Sequence, residues 1–560
     1  MRYLPSGKVQ VAVLLICVCA LYAQALRFNF VHFDEDELII DRQSFLQSIE
    51  NVPKAFTTDT AYPFGRSVFY RPVQTLSFMV DAHIAGERPL WYHGMNIALH
   101  AMGALLVLAV LRALSFGPWA ALGGALAFAA HPALVPAVAW VPGRNDILAA
   151  IPLLASFWFF IRYTHTQKRW YLFAHALFWI IALGAKEYAV VLPLVAYAYV
   201  VLVRRWHWRT AFTLSEGIVW VGGWILYAIA RTLALAHVQT LSFGEAILSV
   251  LRSGGAFLEY ITKAVVPVRL ALMPTGDPTN MIIGGVLALG ALITIIVFRK
   301  KTQLAQFGFV WFVLFLLPSL VTNEPTARQV FFENRLYMPM VGIMIAALSL
   351  VRLLPRKPLM IARGALVVVA VFFAFHTVQR LPAFKDSETY WTLAAAQSPG
   401  LARAQDGLGT EFFRKRNVGQ ALFLHQRALA LHPEAKRVWN NIGSVYLFMH
   451  NIPAAQDAFA KEIERNPGFP PAYHNLAITL LFQGKEAGAE QLWRQALAIN
   501  PWYSFAHQGL ALLTAQTGRI DEAREHILFL ERAGVALLPE LIPIRDALFP
   551  SPTLSPAPTL

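Results

Sequence analysis

The sequence predicts an all-α protein in two parts: a polytopic membrane bundle of about eleven transmembrane helices, then an α-solenoid of two-helix repeats. Three observations lead there. Of 560 residues, 57% are hydrophobic and only 14% charged, against about 25% charged in a water-soluble globule. The apolar residues fall in separated blocks of about 17–22, the length that crosses a hydrocarbon layer. Beyond Arg380 the composition turns soluble, and Pro399, Pro433, Pro467 and Pro501 recur every 34 residues.

Spans are expected near residues 9–27, 92–112, 116–131, 145–162, 170–185, 187–203, 211–231, 281–298, 305–322, 335–352 and 359–379. The first block, with Arg2 and Lys8 before it and Ala23-Gln24-Ala25 at its end, also resembles a signal peptide. Its apolar run exceeds the roughly 7–15 residues of a signal core, so a retained span is expected. Cys17 and Cys19 both lie in that block, which excludes a disulfide framework. A net charge of +14 would suit a nucleic-acid partner, but the basic residues sit at the ends of apolar segments, where topology accounts for them.

Those basic residues set the orientation. Arg112, then Arg162/Lys168/Arg169, Arg204/Arg205/Arg209, Arg299/Lys300/Lys301 and Arg352/Arg356/Lys357/Arg363 occupy alternate loops. The positive-inside rule places them, and the N-terminus, in the cytoplasm. Residues 232–280 then remain outside as a membrane-hugging loop, because a span at 252–272 would carry Arg299-Lys300-Lys301 outward.

The tail keeps a strict register. Leu408, Ile442, Leu476 and Leu510 form one column; Gly409, Gly443, Ala477 and Ala511 a second; Ala421, Ala455, Ala489 and Ala523 a third. Small residues let paired helices approach, and each proline marks the turn into the next pair. This is the tetratricopeptide pattern, four repeats over 399–534 after a linker helix at 381–398. Such arrays offer a concave surface to peptides. The tail 535–560, ending PSPTLSPAPTL, is expected to be partly disordered.

With sides assigned, the unusual polar residues collect outside. The first external loop, 28–91, opens with FVHFDEDELII and holds YRPVQTLSF; later loops contribute HPALVPAVAWVPGRND, AKEY, LEYITKAVVP and FFENRLYMP. Ionisable groups at such depth are costly unless they serve a site. Carboxylates beside arginines at a membrane surface suit transfer from a lipid-linked phosphate: the carboxylate deprotonates the attacking hydroxyl and cations stabilise the departing phosphate. Without further information, each element also has a plainer reading. The acids could be the solvated first turn of a surface helix, Lys186-Glu187 an ion pair at a hairpin, and Lys263 and Arg269 headgroup anchors. Glu333 and Arg335 could equally be a structural pair, and His100 a structural histidine.

Taken in order, these motifs and the repeats resemble the transmembrane and tetratricopeptide-repeat O-mannosyltransferases, the cadherin-targeting group, together with their bacterial relatives. Phe33-Asp34-Glu35 is similar to the Phe-Asp-Glu of classical protein O-mannosyltransferases. The resemblance covers about residues 28–534 and implies a GT-C fold over 1–380, a polyprenyl-phosphate sugar as donor, and inversion at the anomeric centre. Asp34 would be the base, with Glu35 and Asp36 as alternatives. Arg71 falls in the Tyr-Arg-Pro element, Arg144 and Asp146 in Gly-Arg-x-Asp, and Glu333, Arg335 and Tyr337 in Glu-x-Arg-x-Tyr-x-Pro. With Lys263, these would bind donor phosphate or substrate. Where the family often reads His-Pro-x-His-x-Glu, this chain has His131-Pro132-Ala133-Leu134-Val135-Pro136, so no metal ligand set is read and a divalent metal is unsupported.

The function so implied is transfer of one mannose-like hexose to a Ser/Thr hydroxyl of a protein that the repeats recruit, with lipid bilayer as surroundings and no nucleic acid. The membrane would be a bacterial inner membrane or endoplasmic reticulum, with the repeats periplasmic or luminal. Alternatives are an O-oligosaccharyltransferase, transfer to a lipid or polysaccharide, and a non-enzymatic scaffold.

Overall fold

The computed structural model describes residues 7–549 except 64–66, 208–213, 236–241, 299–300 and 322–331. Arg209, Arg299 and Lys300 of the orientation argument, and the tail beyond 549, therefore lie outside the described residues. Among the described residues every regular element is helical.

Among the described residues, eight helices are long and apolar enough to cross a membrane. A ninth segment is the bent pair Pro118–Ala129 and Pro132–Ala139, which meets at 49°. Its break falls at His131, whose extended backbone (ψ 122°) is what a residue preceding proline favours. With the shorter apolar helices Arg169–Leu183 and Glu187–Val203, these occupy the positions of the eleven apolar blocks.

Burial sorts the spans into an inner and an outer set. The most apolar stretches of Val141–Thr166, Glu333–Val351 and Pro89–Ala113 are 72%, 67% and 56% buried, whereas that of Pro278–Val297 is 11% buried. The inner helices approach closely where side chains vanish. A Cβ on Gly308 would strike the Gly342 carbonyl, and one on Gly342 the Gly308 carbonyl, so these helices cross at backbone contact.

Residues 232–280, expected as a membrane-hugging loop and not a span, contain two short helices among the described residues, Phe243–Arg252 and Gly254–Val265, of 10 and 12 residues. Neither is long enough to span. The second is held to the next helix by Thr262 Oγ1, which donates to Asn280 O at 2.5 Å.

The first long loop folds on itself. Phe30, Ile39, Phe45, Leu46, Tyr62 and Phe78 form a small core of their own under Pro72–Ala85. Next to it stand four antiparallel helix pairs: Ala402–Arg414 with Val418–Leu431, Val438–Phe448 with Ile452–Arg465, Pro470–Leu481 with Glu486–Ile499, and Ser504–Gln516 with Ile520–Arg532. Ala421, Ala455, Ala489 and Ala523 are all fully buried. Ser387–Gln397 precedes the stack and Leu541–Leu548 follows it.

The linker and the stack together grip the loop at two places. At the loop's start, Asn29 N donates to Lys385 O at 2.8 Å, and Asp36 pairs with Arg414. Farther along, Ala536 N donates to Ser44 Oγ at 3.2 Å, Lys54 Nζ bonds Arg532 O, and Tyr62 meets Trp502 edge-on at 5.7 Å. An open cleft of about 400 Å³ remains between loop and repeats, lined by His32, Pro89, Asp386, Ser387, Glu411 and Arg414 among others.

Candidate functional site

The fold gives the four adjacent acids four different environments. Asp34 is half-buried, and its carboxylate has no hydrogen bond or ion pair among the described residues. Burial raises its pKa above the ordinary aspartate range; Arg403 opposes this, Glu37 adds to it, and Arg437 and Arg71 oppose it from farther off. Glu35 is 1% exposed and accepts the Phe33 N–H at 3.0 Å. Burial pushes its carboxyl up to about 7, despite the backbone bonds that favour the ionised form. Asp36 is partly desolvated, but the His32 Nδ1 contact at 2.5 Å and the Arg414 guanidinium outweigh that and lower its pKa. Glu37 is half-exposed.

Phe33, next to Asp34, is the hub of an aromatic cluster. Trp140 lies at 5.3 Å, Trp391 at 5.4 Å, and Phe332 and Tyr390 at 5.9 Å, so three loops and the helix before the repeats meet at one ring. Arg403 stacks over that ring at 4.6 Å.

Four other predicted residues, Arg71, Asp146, Glu333 and Lys263, join with Lys186 and Glu187 into a chain that links all the loops. Arg71 forks onto Glu187, with Nε to Oε1 at 3.0 Å and Nη2 to Oε2 at 2.9 Å. Beside Glu187, Lys186 Nζ lies 2.7 Å from Asp146 Oδ1. The other Asp146 oxygen accepts Asn334 Nδ2 at 2.7 Å. Next to Asn334, Glu333 pairs with Arg380 and, at 3.2 Å, with Lys263, which also meets Glu259 at 2.7 Å.

Two predicted residues stand in separate networks. Arg144 is fully buried, paired with Asp81, and donates to Asn96 Oδ1 at 2.7 Å and Tyr92 O at 3.0 Å. The buried Tyr337 hydroxyl meets His100 Nδ1 at 2.8 Å. Arg335 is half-buried and donates to Ser319 O at 2.9 Å; alone among the predicted cations it has no carboxylate partner among the described residues.

Sequence reasoning passed over Asn334 and the repeat residues Arg403, Arg414 and Arg437. One signal was available: Arg403 and Arg437 occupy the same column of the 34-residue period, where the later repeats carry Pro471 and Phe505. Among the described residues, no group of three or more His, Cys, Asp or Glu is arranged to hold a metal ion.

The fold and this polar face define a polytopic membrane protein with a tetratricopeptide array, and a family model described as "Tetratricopeptide repeat" matches residues 458–491. Sequence relatives narrow the class. Protein O-mannosyl-transferase Tmtc2 of Drosophila melanogaster is 28% identical over 273 residues, which are 45% of this chain and 28% of that protein. Protein O-mannosyl-transferase TMTC1 of Mus musculus is 29% identical over 27% of this chain and 16% of its own length. TMTC2 of Mus musculus is 38% identical over 18% and 12%. The chain thus spans between 12% and 28% of these relatives, and over those stretches it is homologous to the tetratricopeptide-repeat O-mannosyltransferases that its motifs resemble.

Proposed function

We propose that this chain is a GT-C glycosyltransferase that moves one mannose-like hexose from a polyprenyl phosphate to a Ser/Thr hydroxyl of a polypeptide, on the non-cytoplasmic side, with inversion. The observation that carries the reading is the state of Asp34: a recessed carboxylate with no bonded partner among the described residues, set where the loop, the membrane helices and the repeats meet. The names of the relatives supply the class of reaction.

In this mechanism Asp34 takes the hydroxyl proton as the acceptor oxygen attacks the anomeric carbon. The bond from that carbon to the phosphate oxygen breaks, and its electron pair leaves with the polyprenyl phosphate. Arg335 meets the departing charge, with Arg71 as a second cation held in aim by Glu187. Arg144, Asp146, Lys263, Glu333 and Tyr337 act one layer back, by fixing the loops on which these groups stand. Glu35 ties down the turn through the Phe33 N–H, and Asp36 holds the loop to the first repeat.

The test is transfer of labelled hexose from polyprenyl phosphate to Ser/Thr peptides by the full chain in nanodiscs. Asp34→Asn is expected to cost about 10²–10⁴-fold in rate, with Glu35→Gln far milder. Full activity in Asp34→Asn would overturn the assignment of the base.

A further inference from the structure

We propose that Arg403 and Arg437 form an acceptor subsite that takes an acidic side chain of the polypeptide presented to Asp34. The inference rests on the glycosyl-transfer reading above and adds a selectivity to it.

The first support is the state of the two cations. Several basic side chains on the repeats have carboxylate partners, such as Lys415 with Glu388 at 2.6 Å, Lys461 with Asp457 at 2.6 Å and Arg519 with Glu490 at 2.6 Å, while Arg416, Arg427 and Lys485 have none among the described residues and lie away from the aromatic cluster at Phe33. Arg403 and Arg437 have none among the described residues; each guanidinium only covers a ring, Phe33 at 4.6 Å and Phe469 at 5.3 Å. Both residues are exposed, so an incoming anion can reach them.

The second is their placement. Arg403 covers the ring of Phe33, the neighbour of Asp34, and both cations bear on the Asp34 carboxylate without forming an ion pair with it among the described residues. They share one column of the repeat, and that column loses its charge in the third and fourth repeats. The cationic pair is therefore confined to the two repeats beside the acid. Arg437 is held there in the left-handed region, at φ 73°, by its backbone N–H bond to Glu462 Oε1 at 2.8 Å.

The third is the stereochemistry of displacement. In an inverting, in-line reaction the attacking oxygen and the leaving phosphate lie on opposite faces of the anomeric carbon. The base must stand on the attacking side, and so must cations that reach it from the repeats. Arg335, which belongs to a loop of the membrane helices, is left for the lipid phosphate; Arg71 bears on Asp34 as well, from its fork with Glu187. A carboxylate a few residues from the accepting Ser/Thr is the anion that a polypeptide brings to the attacking side, and a guanidinium matches it with paired charge-assisted bonds.

The experiment uses the full chain in nanodiscs and two fluorescent Ser/Thr peptides that differ only in Asp/Glu or Asn/Gln beside the hydroxyl. Binding is read without donor. The native chain is expected to bind the acidic peptide about tenfold more tightly at low salt, a preference that falls with ionic strength. Arg403→Ala with Arg437→Ala should bring the two affinities level, and the Lys pair should restore part of the preference. A native chain with no preference, or an Ala pair that keeps it while the donor KM rises, overturns the subsite. Charge-selective, Arg403- and Arg437-dependent binding with no sugar transfer would sustain the subsite and overturn the glycosyltransferase reading instead. A thermal melt of each variant distinguishes lost binding from lost fold.

Discussion

Asp36 and Arg414 stand 378 residues apart in the chain and form an ion pair that fastens the acidic motif to the end of the first repeat helix. Their side chains are 33% and 35% exposed, so the pair contributes at most about 1 kcal/mol to stability. Its effect is on position. Arg414→Glu is expected to leave the melting temperature within a few degrees, raise amide exchange over residues 28–46 and slow transfer several-fold. Asp36→Arg combined with Arg414→Asp should recover both. Unchanged exchange in Arg414→Glu would mean that the pair does not hold the loop.

The pH profile reports on Asp34. A general base must be ionised, and burial raises this carboxyl above the usual aspartate range, so kcat/KM should climb with pH at values above that range. Arg403 is the strongest charge holding the pKa down; Arg403→Ala should therefore move the climb to higher pH. A profile flat through the acid range in the native protein would argue against a carboxylate base.

Stability should move the other way. Glu35, pushed up to about 7 by burial, holds its proton in the fold at pH values where the unfolded chain has lost it. The native state then binds more protons than the unfolded one, so stability falls as pH rises from the ordinary glutamate value through about 7. The loss is on the order of 3 kcal/mol. Glu35→Gln should flatten this slope in chemical denaturation.

Lys186 and Asp146 form a largely buried pair, with side chains 12% and 0% exposed. Lys186→Met strands a buried carboxylate and should cost about 3–5 kcal/mol, read as a fall in melting temperature, with Asp146→Asn in the same chain recovering much of it. An unchanged melt together with a raised donor KM would instead make Asp146 a substrate contact.

The parts of this molecule set by one-dimensional patterns were legible. Lipid demands a run of apolar residues, and stacking demands a fixed period, so the eleven apolar blocks and the columns of alanine and glycine stand out in the chain. Charge pairing was not legible, because partners are chosen in three dimensions. Lys186 and Glu187 are neighbours that look like a pair, yet adjacent side chains diverge, and they bind Asp146 and Arg71 instead. Arg144 carried a motif, while its partner Asp81 sits in a helix with nothing to mark it. The return of the repeats over the first loop left only one trace, the column shared by Arg403 and Arg437.

The double grip on the first loop ties its ancestry to that of the array. Arg414 meets Asp36 near one end, and a Cβ at Gly534 would collide with the Asn51 amide near the other. A chimera that kept this loop but borrowed repeats without an arginine at position 414 and a glycine at position 534 would lose both fits and carry its acid out of place. Exchange between members of such a lineage should succeed only when loop and array travel together, although some three hundred residues of membrane helices and connecting loops lie between them in the gene.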